Sequence, residues 1–296
     1  MAPAPLRHAA RGLPGPSDAA GLGRLAAQLA LILAAAAGVI AAAGSWLVLP
    51  AMALEGALLV TLFAPLHETA HRTAFRSRGL NEAVSRLCGF LLLMPAEEFR
   101  HFHFAHHRHT QDPAHDPELT APKPASLGAW LRHASGLPLW RALLRNLLRH
   151  AAGQVDEPWL PARARPALVR EARLHLALYL ALAAGSAALG TPALLLLWVG
   201  PALLGQPWLR LYLLAEHAGC PLTRDMLANT RTTLTNPVVR FLFWNMPYHA
   251  EHHALPAVPF HALPALHARL APRLRVVSPG YLAVQREILA GFRPRA

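Results

Sequence analysis

The chain has 296 residues, 54% apolar and only 15% charged, with a mean hydropathy of +0.27 and a formal net charge of +12. Soluble domains carry roughly a quarter charged residues, so this composition argues against a cytosolic enzyme and against a disordered chain. Two cysteines, Cys88 and Cys220, are too few for a disulfide framework.

Taken in chain order, residues 1–24 are rich in Pro and Gly, end in Arg24, and read as a cytoplasmic tail. The apolar stretch that follows is too long for a signal h-region, so no cleavable signal peptide is expected. Residues 25–66 contain one charge, Glu55, and are interrupted at Gly44, Ser45 and Pro50. A span needs about 20 apolar residues, which predicts two spans, about 25–44 and 51–66, joined by a tight turn. Leu87–Met94 is apolar but short, and reads as buried or re-entrant. In Leu139–His150, Arg141, Arg145 and Arg149 line one face opposite Trp140, Leu143, Leu144, Leu147 and Leu148. That pattern suits a helix lying in the membrane interface or one packed on the protein's own cytoplasmic part. Residues 174–209 are free of formal charge and break at Gly190-Thr191-Pro192, predicting spans at about 174–189 and 192–210. Residues 25–270 then form one membrane domain, followed by a cytoplasmic segment, 271–296.

Charge placement orients these spans. All but one of the 28 basic residues are Arg, and none lies between Arg24 and Arg72 or between Arg173 and Arg210. By the positive-inside rule both termini and the 67–173 segment are cytoplasmic. The positive charge is explained by topology and anionic lipid, not by nucleic acid.

Eighteen histidines are many for this length. His67-Glu-Thr-Ala-His71 starts where the second span reaches the cytoplasm, and an i,i+4 pair shares one helical face. His103-Phe-Ala-His106-His107 and His249-Ala-Glu-His252-His253 repeat one spacing, in which the last two rings diverge by about 100° and reach two sides of a helix. His217 follows the fourth span at the depth of His67. Three clusters on one side of a membrane predict a dinuclear centre of neutral imidazoles, a set that suits iron, zinc or copper. Glu68, Asp112, Asp116, Glu216 and Glu251 are candidates to orient the rings through their second nitrogens. His101, His109 and His115 break the spacing, and His8, His133, His150, His175, His261 and His267 stand singly.

The motifs HETAH, FRHFHFAHHRHTQDP (99–113) and NMPYHAEHH (245–253) resemble the histidine boxes of the membrane fatty acid desaturase superfamily, which includes desaturases, hydroxylases and ketolases. The continuations LPAVP (255–259) and LPALH (263–267) are similar to those of bacterial members. The resemblance implies an all-α fold of four transmembrane helices in two hairpins under a cytoplasmic helical cap, in a bacterial inner membrane. It also implies two iron ions, O2 as co-substrate, a fatty acyl or lipid-like substrate, and electrons from a separate ferredoxin- or rubredoxin-like donor. Matched box by box, the ligands would be His67, His71, His103, His106, His107, His217, His249, His252 and His253. Asn245, in the third box, joins the carboxylates as a supporting residue. Some members place an Asn four residues before the last-span His, where this chain has Leu213.

Two other classes compete. HETAH also satisfies H-E-x-x-H, the signature of a zinc protease whose Glu is the general base; six clustered histidines would then be idle. A metal transporter would place its ligands near the bilayer midplane, whereas only Glu55 lies inside a span.

Overall fold

The computed structural model describes residues 4–292. Helix α1 covers Ala4–Ala9, and a Pro- and Gly-containing turn leads to α2, Asp18–Ala42. The Ser17 hydroxyl accepts the Ala20 amide at 3.3 Å, so α2 starts seven residues before the expected boundary at Leu25. Gly44, at φ +81°, turns the chain back. Helix α3, Val48–Leu59, passes through a single 3-10 turn, Val60–Leu62, into α4, Phe63–Ala70. Pro50 falls in the first turn of α3, where its missing N–H costs little. Asp18–Ala42 and Val48–Ala70 are the two helices long and apolar enough to cross a membrane. Leu33 and Ile40 on α2 are 69% and 62% exposed, as a lipid-facing surface requires.

Helices α5, Arg78–Leu91, and α6, Ala96–His109, form the next hairpin. Helices α7, Leu127–Ala134, and α8, Leu137–Ala151, precede α9, Arg165–Ala188. A π turn at Leu195–Val199 feeds α10, Gly200–His217. Both stretches expected as the third and fourth spans are therefore helical. They extend past the expected limits at their charged ends, through Arg170, Glu171 and Arg173 on α9 and beyond Arg210 to Glu216 and His217 on α10. Short helices complete the chain: α11, Met226–Asn229; α12, Pro237–Leu242; α13, His249–Ala254; α14, Leu263–Leu270; and α15, Tyr281–Ala290. A two-residue parallel pair, β1 (Thr232–Thr233) with β2 (Val277–Ser278), is the one sheet among the described residues.

Leu87–Met94 forms the end of α5 and its turn. The carbonyls left over at this helix end accept from the Tyr179 hydroxyl (to Phe90, 2.7 Å) and the Trp198 indole (to Leu91, 2.9 Å), tying it to both helices of the second hairpin. Helix α8 packs beside α9 through Leu147 and His150, while Leu137, Leu144 and Leu148 stay exposed.

Two close contacts hold the long helices together. Gly56 of α3 faces Gly205 of α10, and a Cβ at either position would lie 2.1 Å from a carbonyl oxygen of the other helix. The buried Gln28 amide of α2 donates to the Thr61 hydroxyl (2.6 Å) and accepts the Trp244 indole N–H (2.8 Å). Those two bonds anchor the segment after α12 to the paired helices. Replacing Gly205 by Val is expected to destabilise the purified protein by about 1–3 kcal/mol, the usual cost of overpacking. Thermal unfolding in detergent measures this, with Gly38→Ala as the control because nothing lies within 4 Å of that Cβ.

Candidate metal centre

Four helices bring nine imidazoles together at one end of the bundle. His67 lies on α4 and His71 caps its C-terminus; α6 carries His103, His106 and His107; His217 ends α10; and α13 carries His249, His252 and His253. Helix α6 is set by Glu171 of α9, whose carboxylate accepts the Ala96 and Glu97 amides at 3.1 and 2.9 Å. A carboxylate there satisfies orphan N–H groups and the positive end of the helix dipole.

The rings fall into two groups. In the first, ligand nitrogens of His67, His71, His103, His107 and His252 all lie within 4.8 Å of one another, and in the second those of His106, His217 and His253 do. The His71 and His103 Nε2 atoms are 2.7 Å apart, and those of His106 and His217 are 3.2 Å apart. His249 sits beside the second group, its Nε2 3.1 Å from that of His253. The two groups meet where His107 and His253 stack with centroids 4.0 Å apart.

These residues fit metal ions. Both ring nitrogens of His67, His107 and His252 are buried without a hydrogen-bond partner among the described residues. Buried polar atoms normally have partners, and one without calls for an ion or water. Facing Nε2 atoms below 3.3 Å cannot both present bare lone pairs, so each such pair shares a proton or a metal ion. On the second group the outer nitrogens are held. His106 Nδ1 faces Asp116 at 2.9 Å and Glu118 at 3.3 Å, His217 Nδ1 faces the Asn229 carbonyl at 3.3 Å, and His253 Nδ1 the Thr110 hydroxyl at 3.2 Å. With Nδ1 donating in each ring, Nε2 is left free to ligate. Gln111 reinforces this shell: its amide N–H donates to Asp116 at 2.8 Å, and its side chain to the His217 carbonyl at 2.7 Å.

The supporting residues expected from sequence divide. Asp116 faces a ring nitrogen, and Glu216 lies 3.4 Å from His249 Nδ1. Four others are corrected by their contacts. Glu68 accepts the Phe260 amide at 2.9 Å, and Asn245 donates to the Phe260 carbonyl at 3.1 Å, so both hold the segment after the third box. Glu251 accepts from Thr232 at 2.6 Å and pairs with His267, joining α13 to β1 and α14. Asp112 pairs with the exposed His115 at 3.0 Å, away from the nine rings. Sequence reading missed Thr110, Gln111, Glu118, Asn229 and His267. Glu118, two residues beyond Asp116, carried a local signal; Asn229 lay in a segment with none.

Residues 43–284 match the fatty acid desaturase family. The chain belongs to that family. It is also 31% identical over 111 residues to an sn-1 oleoyl-lipid 12-desaturase of Picosynechococcus sp., a match covering 35% of this chain and 32% of that enzyme. The matched region therefore spans about a third of the relative's length. Among the described residues, the two apolar helices agree with a membrane protein.

Burial pushes the His71 ring down to about 3. His103, His107, His249, His252 and His253 are held well below the usual range, first by burial and then by the charges of neighbouring rings. For His106 burial opposes the charged form, but Glu118 and Asp116 outweigh it and raise the ring. An unfolded chain protonates its imidazoles near pH 6.5, while the six depressed rings stay neutral in the fold and outnumber the raised His106. Below that pH the unfolded state binds more protons, so stability falls as pH falls. Metal-free protein is expected to lose thermal stability progressively from pH 7 to 5, which pH-stepped melting curves check.

Proposed function

We propose that this chain is a di-iron, O2-dependent desaturase acting on an acyl chain carried by a membrane lipid. The observation that carries the reading is the convergence of nine imidazoles from four helices into two adjoining groups at one end of an apolar bundle. The lipid carrier is supported by the oleoyl-lipid desaturase match over a third of the chain.

His67, His71, His103, His107 and His252 would hold one iron; His106, His217, His253 and the adjacent His249 would hold the other. Ions in such a set supply activation of O2 and attack on an unactivated C–H bond, because neutral ligands leave them strongly positive. The rest is done by the chain. Asp116, Glu118, Asn229 and Thr110 orient rings through their outer nitrogens. Phe63 and Phe99, in edge contact at 5.5 Å, and the ring of Phe99 stacked on His103 cover the first group with apolar surface. Removing two hydrogens as an alkene while O2 becomes two waters consumes two external electrons and two protons. We assign the electrons to a separate ferredoxin- or rubredoxin-like donor. His71 and His107 are the two members of the nine that reach the surface, beside the exposed Phe104, Arg72 and Arg108, a face suited to an acidic carrier.

In this reading α9 and residues 193–217 join the two apolar helices as the third and fourth spans, and the histidine boxes and both termini lie in the cytoplasm. The Arg-free turns support that orientation. The zinc-protease alternative needs a single ion and leaves most of the nine clustered rings without a task. Transport is disfavoured because the rings sit at helix ends, not at mid-span.

Expression in a bacterial host with lipid profiling by mass spectrometry tests the proposal. A new double bond that forms only with oxygen is expected, along with its complete loss in His106→Ala and His252→Ala protein that still inserts in the membrane. Retained product in either variant overturns the ligand assignment, and a hydroxylated product overturns the desaturase reading.

A further inference from the structure

One cluster of ligating side chains lies outside the nine rings. The chain leaves α6 at His109 and turns tightly. Asp112 N–H donates to the His109 carbonyl at 2.7 Å, His115 N–H donates to the Asp112 carbonyl at 3.1 Å, and Gln111 takes a left-handed φ of +62°. That turn brings residues i, i+3 and i+6 to one side. Ligand atoms of His109, Asp112 and His115 all lie within 4.8 Å of one another, and the two rings are 5.2 Å apart at a 33° tilt.

We propose that His109, Asp112 and His115 form a surface site for a divalent cation of the zinc class, separate from the buried centre. Two imidazoles and one carboxylate are donors that such ions accept, with the remaining positions left to water. Ligand atoms about 2.0–2.2 Å from zinc stand about 3.5 Å apart. His115 is the exposed member of the three, and its side chain has the most freedom to adjust to that spacing. The Asp112 carboxylate is already held below its usual range by hydrogen bonds from His115 and the Ala114 amide, so it is anionic at neutral pH. Its Oδ1 is fixed by the Ala114 amide at 3.0 Å, which leaves Oδ2, now 3.0 Å from His115 Nδ1, to share a cation instead of a proton. A cavity of about 300 Å³, lined in part by Arg108, His109, His115, Asp116 and Trp159, gives room for the waters that complete the shell.

The site has a route to the buried centre. Asp116 N–H donates to the Asp112 carbonyl at 2.9 Å, and its carboxylate faces His106 at 2.9 Å and accepts from Gln111, which in turn holds the His217 carbonyl. A cation clamping His109, Asp112 and His115 therefore stiffens the loop that orients two rings of the second group. The proposed di-iron function bears on this coupling alone; the cation site stands without it.

The test uses full-length protein purified in detergent with its tightly bound metal intact. Zinc is titrated in and both metals are counted by mass spectrometry, and amide hydrogen exchange is followed over residues 109–118. Expected is one exchangeable zinc per chain, with slower exchange in that loop. His115→Ala and His109→Ala should lose at least about tenfold in zinc affinity and lose the protection, with tight metal unchanged. Equal zinc uptake by wild type and variants, no uptake by wild type, or zinc gained only as tight metal is lost would each overturn the site. A chain without tight metal that still shows His115-dependent zinc would sink the di-iron reading and keep this one.

Discussion

Imidazole lone pairs that have nowhere else to go govern this molecule. Seven of the nine clustered rings are buried, and burial opposes protonation as a way of satisfying them, His106 beside Asp116 and Glu118 being the exception. A buried polar atom without a partner costs free energy comparable to a lost hydrogen bond, and several ring nitrogens here have none from the protein. Two adjoining groups of ring nitrogens at this spacing could hold metal ions, which is the reading proposed above.

That arrangement rests on a few contacts far from the rings. The Gly56–Gly205 approach lets α3 and α10 run side by side, so that His67 and His217 emerge at neighbouring positions. The Gln28–Thr61–Trp244 bonds fasten the segment preceding the third box to the same pair of helices. Glu171 fixes the start of α6. Each contact is short and either backbone-based or fully hydrogen-bonded, which makes it directional where apolar packing in lipid is not.

The loop after the second box has a double character. Toward the interior it presents Thr110, Gln111, Asp116 and Glu118 to His106, His217 and His253. Toward solvent it presents His109, Asp112 and His115. A single tight turn with one left-handed residue, Gln111, produces both faces.

Much was legible from sequence because it is local. Helix type, the two apolar helices at the N-terminal side, and the three boxes follow from runs and spacings that a few residues define. Even so, the start of α2 lay seven residues early, since the Ser17 cap outweighed the apolar boundary. The roles of polar residues beside the boxes were not legible. Glu68 and Glu251 adjoin ligands in sequence, yet their carboxylates bond Phe260, Thr232 and His267. Spacing alone determined which histidines share a helix face. Which faces meet, and which distant groups stand behind the rings, as Thr110 does behind His253, was decided by tertiary packing, because a hydrogen bond between residues over a hundred positions apart leaves no periodic trace in the chain.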